Sequence, residues 1–268
     1  MDTLENSKVF KEIRQEQIYE IIKTRKSVTI DELVEELYAS PATIRRDLVL
    51  LEKAGLVRRF RGGALLADTV ASEIAQELRE NENADKKIII ANLMDRFFTD
   101  NQSFFIDSST TTRFLPQVLS KYSGLTFFTN SIRTANELVM KTDASVHLAG
   151  GKVVRNSHST SGVLTVEFLR QYHVDIALIA CRGISSLNGC TVINEEQAMI
   201  KQAMIRNAKM SFLLCDSTKF EKSYLVTFAQ FSDFDYFITD KAPEGKLLKA
   251  IQQSGCKIIA YDTIRYKE

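Results

Sequence analysis

Two sets of side chains have the types and spacing to do chemistry. The first is basic. Ser40-Pro41-Ala42-Thr43-Ile44-Arg45-Arg46 is followed downstream by Arg58, Arg59 and Arg61. Between residues 40 and 63, six Lys and Arg stand against Asp47 and Glu52, a net of +4, while the whole 268-residue chain is only +1. Basic charge gathered in this way suits a polyanion whose phosphates each take a Lys or Arg. The second set is polar and spread along the chain. It comprises Asp107-Ser108-Ser109-Thr110-Thr111-Thr112, Thr129-Asn130, Gly150-Gly151-Lys152, Arg182-Gly183 and Asp216-Ser217-Thr218-Lys219. Hydroxyls just before a helix, with cations nearby, suit a phosphate or another small anion. Singly these residues read as caps, turns or satisfied turn carboxylates; their recurrence after successive apolar runs favours a ligand.

The basic set needs a frame. Ile30, Leu33, Val34 and Leu37 fall at i, i+3, i+4 and i+7, one face of a helix, and Thr29 with Glu32 forms a capping box at its start. Ser40 and Pro41 start another helix, whose apolar stripe is Ile44, Leu48 and Leu51; Thr43, Arg45 and Arg46 lie off that stripe. Ile18, Ile21 and Ile22 supply an earlier helix, and Gly55 can end the later one. Leu56–Phe60 and Ala64–Leu66 read as a hairpin around Gly62-Gly63. These elements predict a winged helix-turn-helix over residues 1–66, the second helix of the motif docking in the major groove of double-stranded DNA. Ser40 and Ala42 then sit at the end of that helix nearest the duplex, beside Thr43, Arg45 and Arg46, with Arg59 and Arg61 on the wing. A winged helix used only for protein contacts is the plainer alternative; paired helix arginines plus wing arginines favour DNA.

The polar set needs a sheet. After a joint and connecting helix over 67–85, with helical pattern from Glu73 to about Phe98 broken near Asn81–Asn83, seven apolar runs follow. They are Ser103–Ile106, Leu125–Phe128, Ser145–Leu148, Ile176–Ile179, Met210–Leu214, Tyr236–Ile238 and Lys257–Tyr261. Most lack alternation, which suits strands covered on both faces, and helical stretches such as Ser131–Lys141 and Glu195–Lys209 separate several of them. The expected fold over 86–268 is α/β, a doubly wound, Rossmann-like parallel sheet whose ligands lie past the carboxyl ends of the strands. A helix beginning near Thr112-Arg113-Phe114 would place the hydroxyl run at its start.

Composition narrows the classes. At 44% hydrophobic and 26% charged residues, the chain can bury a core and has no run of about 18 apolar residues to span a membrane. Met1–Asn6 is polar and acidic, unlike a signal peptide. Cys181, Cys190, Cys215 and Cys256 lack metal or redox-motif spacing, and His147, His158 and His173 are scattered. The expectation is a cytoplasmic protein with reduced thiols and no metal. Without a GxGxxG fingerprint or a Walker A loop, no nucleotide cofactor is expected.

Taken in order, these residues resemble the DeoR family of bacterial transcription regulators, from about residue 14 to 262. Ser40-Pro-Ala-Thr-Ile-Arg-Arg-Asp-Leu48 and Gly55-Leu-Val-Arg-Arg-Phe-Arg-Gly-Gly-Ala64 carry the N-terminal likeness. Asp107–Thr112, Thr129-Asn130, Gly150-Gly151, Gly162, Lys201 and Asp216–Lys219 carry the C-terminal one. The resemblance implies a sensing domain similar in fold to ribose-5-phosphate isomerase, which binds a phosphorylated sugar and releases DNA in response. It places Lys201 with Asp107, Asn130, Asp216 and Lys219 around the effector; Arg182, read from its place after a strand, either points into the same crevice as an anion contact or points out as a solvated surface charge. The function implied is repression of a sugar catabolic operon by a homo-oligomer, dimer or tetramer, on paired half-sites. The chain departs from the family's usual pattern in having Arg61 for His, Ser109 for Gly, Arg182 for Asp and Gln197 for Glu. The competing class is a sugar-phosphate isomerase with a DNA-binding appendage, using Asp107 or Asp216 as base and Lys219 to steady an enolate. Loss of acids at 182 and 197 argues for a non-enzyme.

Overall fold

The computed structural model describes residues 2–25, 27–53, 56–60, 62–66, 83–154 and 157–265, without the side chains of 2–12, 27, 53, 58, 60, 65, 264 and 265. Gly55, Arg61, the joint 67–82 and the first piece of the connecting helix therefore lie outside the described residues. The chain divides into two units, Met1–Leu78 and Arg79–Glu268.

In the first unit, α1 (Asp2–Arg25), α2 (Ile30–Leu37) and α3 (Pro41–Lys53) accompany β1 (Ser27–Thr29), β2 (Val57–Phe60) and β3 (Gly63–Leu66). The expected capping box starts α2: the Glu32 amide donates to Thr29 Oγ1 and Glu32 Oε2 accepts from the Thr29 amide. Ser40 caps α3 in the same way, accepting from the Thr43 amide at 3.2 Å. Tyr38 takes a left-handed conformation at the end of α2 and turns the chain toward α3. Ile18 and Ile22 of α1, Leu33 of α2, and Ile44, Leu48 and Leu51 of α3 close one core. Each such side chain contributes about 1.5–3 kcal/mol by leaving water. The expected hairpin forms between β2 and β3, and β1 joins it as a third strand, Thr29 opposite Gly63. That strand is only three residues long and falls below any periodicity the sequence can display.

In the second unit, a seven-stranded parallel sheet contains all seven expected strands. They are β4 (Ser103–Ile106), β5 (Thr126–Thr129), β6 (Ser145–Leu148), β9 (Val174–Ala180), β12 (Ala208–Leu214), β14 (Tyr236–Thr239) and β15 (Lys257–Ala260), in the spatial order β15-β14-β12-β9-β4-β5-β6. Alternate residues of β9 enter opposite cores: Ala177 and Ile179 on one face, Ile176, Leu178 and Ala180 on the other. Burial on both faces explains the unbroken apolar runs. The sequence reading misses the hairpin of β7 (Lys152–Val154) with β8 (Ser159–Ser161), and the antiparallel sheet of β10 (Gly183–Ser185), β11 (Gly189–Val192) and β13 (Val226–Ala229). Their residues are short, small or hydroxylic, so neither alternation nor hydrophobic runs mark them. The helix expected over Glu195–Lys209 stops at Arg206, because β12 begins at Ala208 and pairs there with Val174.

Candidate DNA-reading face and ligand loops

On α3, Ser40, Ala42, Arg45 and Arg46 are exposed and Thr43 is half-buried, while Ile44, Leu48 and Leu51 turn inward. Thr43, Arg45 and Arg46 share a concave surface with Arg14 of α1. Asp47, 1% exposed, is an internal anchor: its Oδ2 accepts from Arg14 Nε at 2.6 Å and its Oδ1 from Gln15 Nε2 at 3.0 Å. Of the two acids of α3, Asp47, next to the arginine pair, thus faces α1 and leaves the outward charge of Arg45 and Arg46 uncompensated by it. Arg59 is exposed but folded back, its Nε 2.6 Å from Glu52 Oε2. Arg61 lies outside the described residues.

The polar loops all follow the carboxyl ends of parallel strands, as expected, and are cross-linked. Asp107, after β4, is buried, and five donors surround its carboxylate. The Ser109 amide, the Ser109 hydroxyl and Thr112 Oγ1 lie at Oδ1; the Ala180 amide and Lys201 Nζ lie at Oδ2. Burial pushes the Asp107 carboxyl up, but the Lys201 ammonium, with the Ser109 and Ala180 donors, outweighs it and holds the group below the usual carboxylate range. Asp107 and Lys201 therefore act on each other and on the loop. They hold the end of β4, the end of β9 and the helix Glu195–Arg206 together.

A second pair mirrors the first. Asp216, after β12, accepts from the Thr218 amide and hydroxyl and lies 3.1 Å from Lys219 Nζ. Burial raises the Asp216 carboxyl, but Lys219, Thr218 and the buried Lys87 of the helix Ala84–Met94 together bring it below its ordinary value. Lys219 Nζ also donates to Thr111 Oγ1 at 3.2 Å, joining the β4 and β12 loops. The Thr110 hydroxyl makes no hydrogen bond among the described residues, although Thr110 is largely buried. Asn130 donates to the Thr160 carbonyl at 3.0 Å and to Ser108 Oγ at 3.4 Å, which brings β5, β8 and the hydroxyl run together.

Several expected contacts face elsewhere. Thr129 Oγ1 is buried and accepts from the Ser131 amide. The Ser109 and Thr112 hydroxyls point back to Asp107. Lys152 is 73% exposed, its ammonium 3.9 Å from Glu196. Gly151, at φ +147°, packs where a Cβ would strike Thr165 Oγ1 and the Ser161 carbonyl, and Gly183 presses against the Lys222 carbonyl. Those two glycines serve close backbone approach. Gly150 is exposed, its carbonyl accepting from Thr165 Oγ1 at 2.8 Å. The helix expected after the hydroxyl run is a single 3-10 turn, Thr112–Phe114, followed by the five-residue Leu115–Leu119. Its few aligned peptides give a weak dipole.

Three participants escaped the sequence reading. Lys87 is buried beside Asp216, and the neighbouring Lys86 donates to Ser217 Oγ at 2.9 Å and lies 3.6 Å from Asp240 Oδ2. They sit on a helix far upstream, with no motif to mark them. His158, in the β7–β8 hairpin, takes a left-handed backbone, and its carbonyl accepts from the Ile132 amide at 2.8 Å, beside Asn130. Scattered histidines carry no spacing signal.

The family model described as the DeoR-like helix-turn-helix domain matches residues 14–70, and the DeoR C terminal sensor domain matches residues 82–241. The chain belongs to the DeoR family. Among relatives, the uncharacterized HTH-type transcriptional regulator YulB of Bacillus subtilis (strain 168) is 33% identical over 247 residues, 92% of this chain and 95% of its own length. The HTH-type transcriptional repressor GlcR of the same organism is 30% identical over 251 residues, 94% of this chain and 96% of its own. The glycerol-3-phosphate regulon repressor of Escherichia coli (strain K12) is 28% identical over 238 residues, 89% and 94%. Among solved structures, a D-ribose-5-phosphate isomerase in complex with phospho-erythronic acid is similar over 51% of this chain and 54% of that chain, at 13% identity and a TM-score of 0.39. As a DeoR-family member the chain is a DNA-binding transcriptional regulator with a sensor domain. Among the described residues no helix is long and apolar enough to cross a membrane.

Proposed function

We propose that this DeoR-family chain is a cytoplasmic repressor of a sugar catabolic operon. It binds its double-stranded operator through residues 1–66 and is released when a phosphorylated sugar binds within residues 86–268. The observation that supports DNA reading most directly is the pair Arg45–Arg46, exposed on α3 beside Thr43 while the opposite face of the same helix is buried. Relatives named as repressors, one of them of a glycerol-3-phosphate regulon, support the same reading. For the effector, the support is the hydroxyl run itself: Lys219 reaches Thr111 from another strand end, and the adjacent Thr110 hydroxyl makes no hydrogen bond among the described residues. The Lys219 ammonium lies 3.1 Å from Asp216 and also reaches Thr111, which puts a cation beside the hydroxyl run, where a phosphate can meet it. The chain acts as a sensor and not as an isomerase, because Asp107 and Asp216, the available bases, are both ion-paired and held ionised below their ordinary range. A base of such low pKa abstracts a carbon-bound proton poorly.

Effector action requires different affinity for the DNA-bound and released states, since equal binding shifts nothing. The test is fluorescence anisotropy on operator DNA with sugar phosphates added. Release by a phosphorylated sugar and not by its unphosphorylated parent is expected; indifference to every sugar phosphate overturns the effector reading. Residues 67–268 hold equal numbers of acidic and basic side chains, 23 each, which supports sensing and pairing over DNA contact for this part. A homo-oligomer, dimer or tetramer, presents paired heads to half-sites. Light scattering of the full chain that returns a monomer at micromolar concentration overturns that part.

A further inference from the structure

Among the described residues, three buried side-chain polar atoms have no hydrogen-bond partner within the protein: Asn130 Oδ1, His158 Nδ1 and Arg182 Nε. Buried polar groups are ordinarily satisfied, so each exception asks for an explanation. Two of them follow strands of the large sheet at its carboxyl end, and the third, in the β7–β8 hairpin, touches the segment after one of those strands. Asn130 directly follows β5, Arg182 lies just past β9, and His158 is tied to the segment after β5 through the Ile132 amide. They offer complementary chemistry: Asn130 Oδ1 accepts, and Arg182 Nε donates with a full positive charge behind it.

Charge balance singles out Arg182. Asp107 is taken by Lys201, Asp216 by Lys219, and Glu196 faces Lys152. Arg182 makes no ion pair among the described residues; its side chain lies over Tyr224, the guanidinium carbon 5.3 Å from the ring centroid. Stacking on an aromatic face fixes the plane of a guanidinium and leaves its edge donors for an oxyanion. The backbone there is fixed as well, since the Arg182 amide donates to the Thr191 carbonyl at 3.0 Å and Gly183 is wedged against Lys222. Neighbouring strands are about 4.8 Å apart, so β9 and β5, with β4 between them, are about 10 Å apart. That distance suits the two ends of one small polyol.

We propose that Arg182 is a specificity-determining residue that binds a second anionic group, phosphate or carboxylate, on the phosphorylated sugar, while Asn130 accepts a hydrogen bond from one of its hydroxyls. The proposal rests on the reading of these loops as a sugar-phosphate site. Effectors with one phosphate and no other charge are then the weaker ligands. A charge-assisted contact of this kind is worth about 10- to 100-fold in affinity.

The experiment is calorimetric titration of the full chain with fructose 6-phosphate against fructose 1,6-bisphosphate, and with glucose 6-phosphate against 6-phosphogluconate. The two pairs separate a second phosphate from a carboxylate. Wild type is expected to prefer the doubly anionic member of at least one pair by tenfold or more, with Arg182→Gln erasing that preference while single-phosphate binding persists. Arg182→Lys, which keeps the charge without the fork, is expected to retain part of the preference. Equal binding of both members of each pair by wild type overturns the proposal and leaves the sugar-phosphate reading standing. So does a parallel loss of mono- and dianionic ligands in Arg182→Gln, which makes the residue structural. If wild type binds none of the four, the site reading fails and the proposal fails with it.

Discussion

The Lys219 ammonium donates to the Thr111 hydroxyl at 3.2 Å, although 108 residues separate them. The contact joins the loop after β4 to the loop after β12, across the intervening strand β9. Lys219 is thus held by two partners, Asp216 and Thr111, the latter adjacent in sequence to Thr110.

Lys219→Met is expected to weaken a bound sugar phosphate at least tenfold, since it removes a charge-assisted donor and leaves Asp216 with less compensation. Thr110→Ala is expected to weaken it less, by about three- to tenfold, the range of one neutral hydrogen bond. Calorimetry with a single sugar phosphate reads both; unchanged affinity in the two variants removes the phosphate from this position.

On α3, Arg45→Ala and Arg46→Ala are each expected to reduce operator affinity. An arginine that reads a base costs about 1–3 kcal/mol and relaxes sequence preference when lost. One that meets only phosphate weakens all DNA alike and lowers the salt slope by about one. Anisotropy at several salt concentrations, on operator and on scrambled DNA, sorts the two. Wild-type binding by both variants means that another surface reads the DNA.

Asp107 and Lys201 form a buried pair, so breaking it from either side leaves a charge without its partner. Asp107→Asn and Lys201→Met are each expected to destabilise the second unit by about 3–5 kcal/mol. The double variant is expected to be less destabilised than the sum of the two. Urea unfolding followed by circular dichroism measures the cycle, and strict additivity excludes direct coupling.

Acid should loosen the second unit in a defined window. Asp107 and Asp216 titrate below the usual carboxylate range, and Lys209 and Ser103 bring the Asp175 carboxyl down to about 2. Groups depressed on folding stabilise the native state fully above their unfolded pKa of about 4, and that stability disappears as pH falls through the folded values. The urea midpoint is therefore expected to hold from pH 7 to 5 and to drop between pH 4 and 2. Asp175→Asn should make that drop shallower. A midpoint that stays flat to pH 2.5 contradicts the ion-pair account.

The large sheet was legible because its strands are covered on both faces, and double burial leaves a mark such as Val174–Ala180 that few alternatives share. The winged helix was legible because its caps are local: Thr29–Glu32 and Ser40–Thr43 each close within one turn. Outward and inward side chains could not be told apart in the loops. Thr110 and Thr112 are the same residue two positions apart, yet only Thr112 bonds Asp107, because the loop's path decides it. Lys87 and His158 were invisible for another reason. Each gains its place through tertiary contacts made by distant segments, and one sequence carries no record of those.

The pairing of β9 with both β4 and β12 also governs the order in which the chain takes shape during synthesis. The described core of the winged unit is built from residues up to Leu66, and its contacts are short in sequence. Strands β4, β5 and β6 emerge next, but the open side of β4, with its apolar Phe104 and Ile106, stays unpartnered until Val174–Ala180 leaves the ribosome. Parallel pairings close late and slowly, and unpaired apolar strands invite aggregation in the interval. A message broken between residues 67 and 173 would therefore yield a product with helices α1–α3 and strands β1–β3 and no closed sheet. Such a fragment would lack the pairing of β9 with β4 and β12, on which the loops of Asp107, Ala180 and Asp216 all depend.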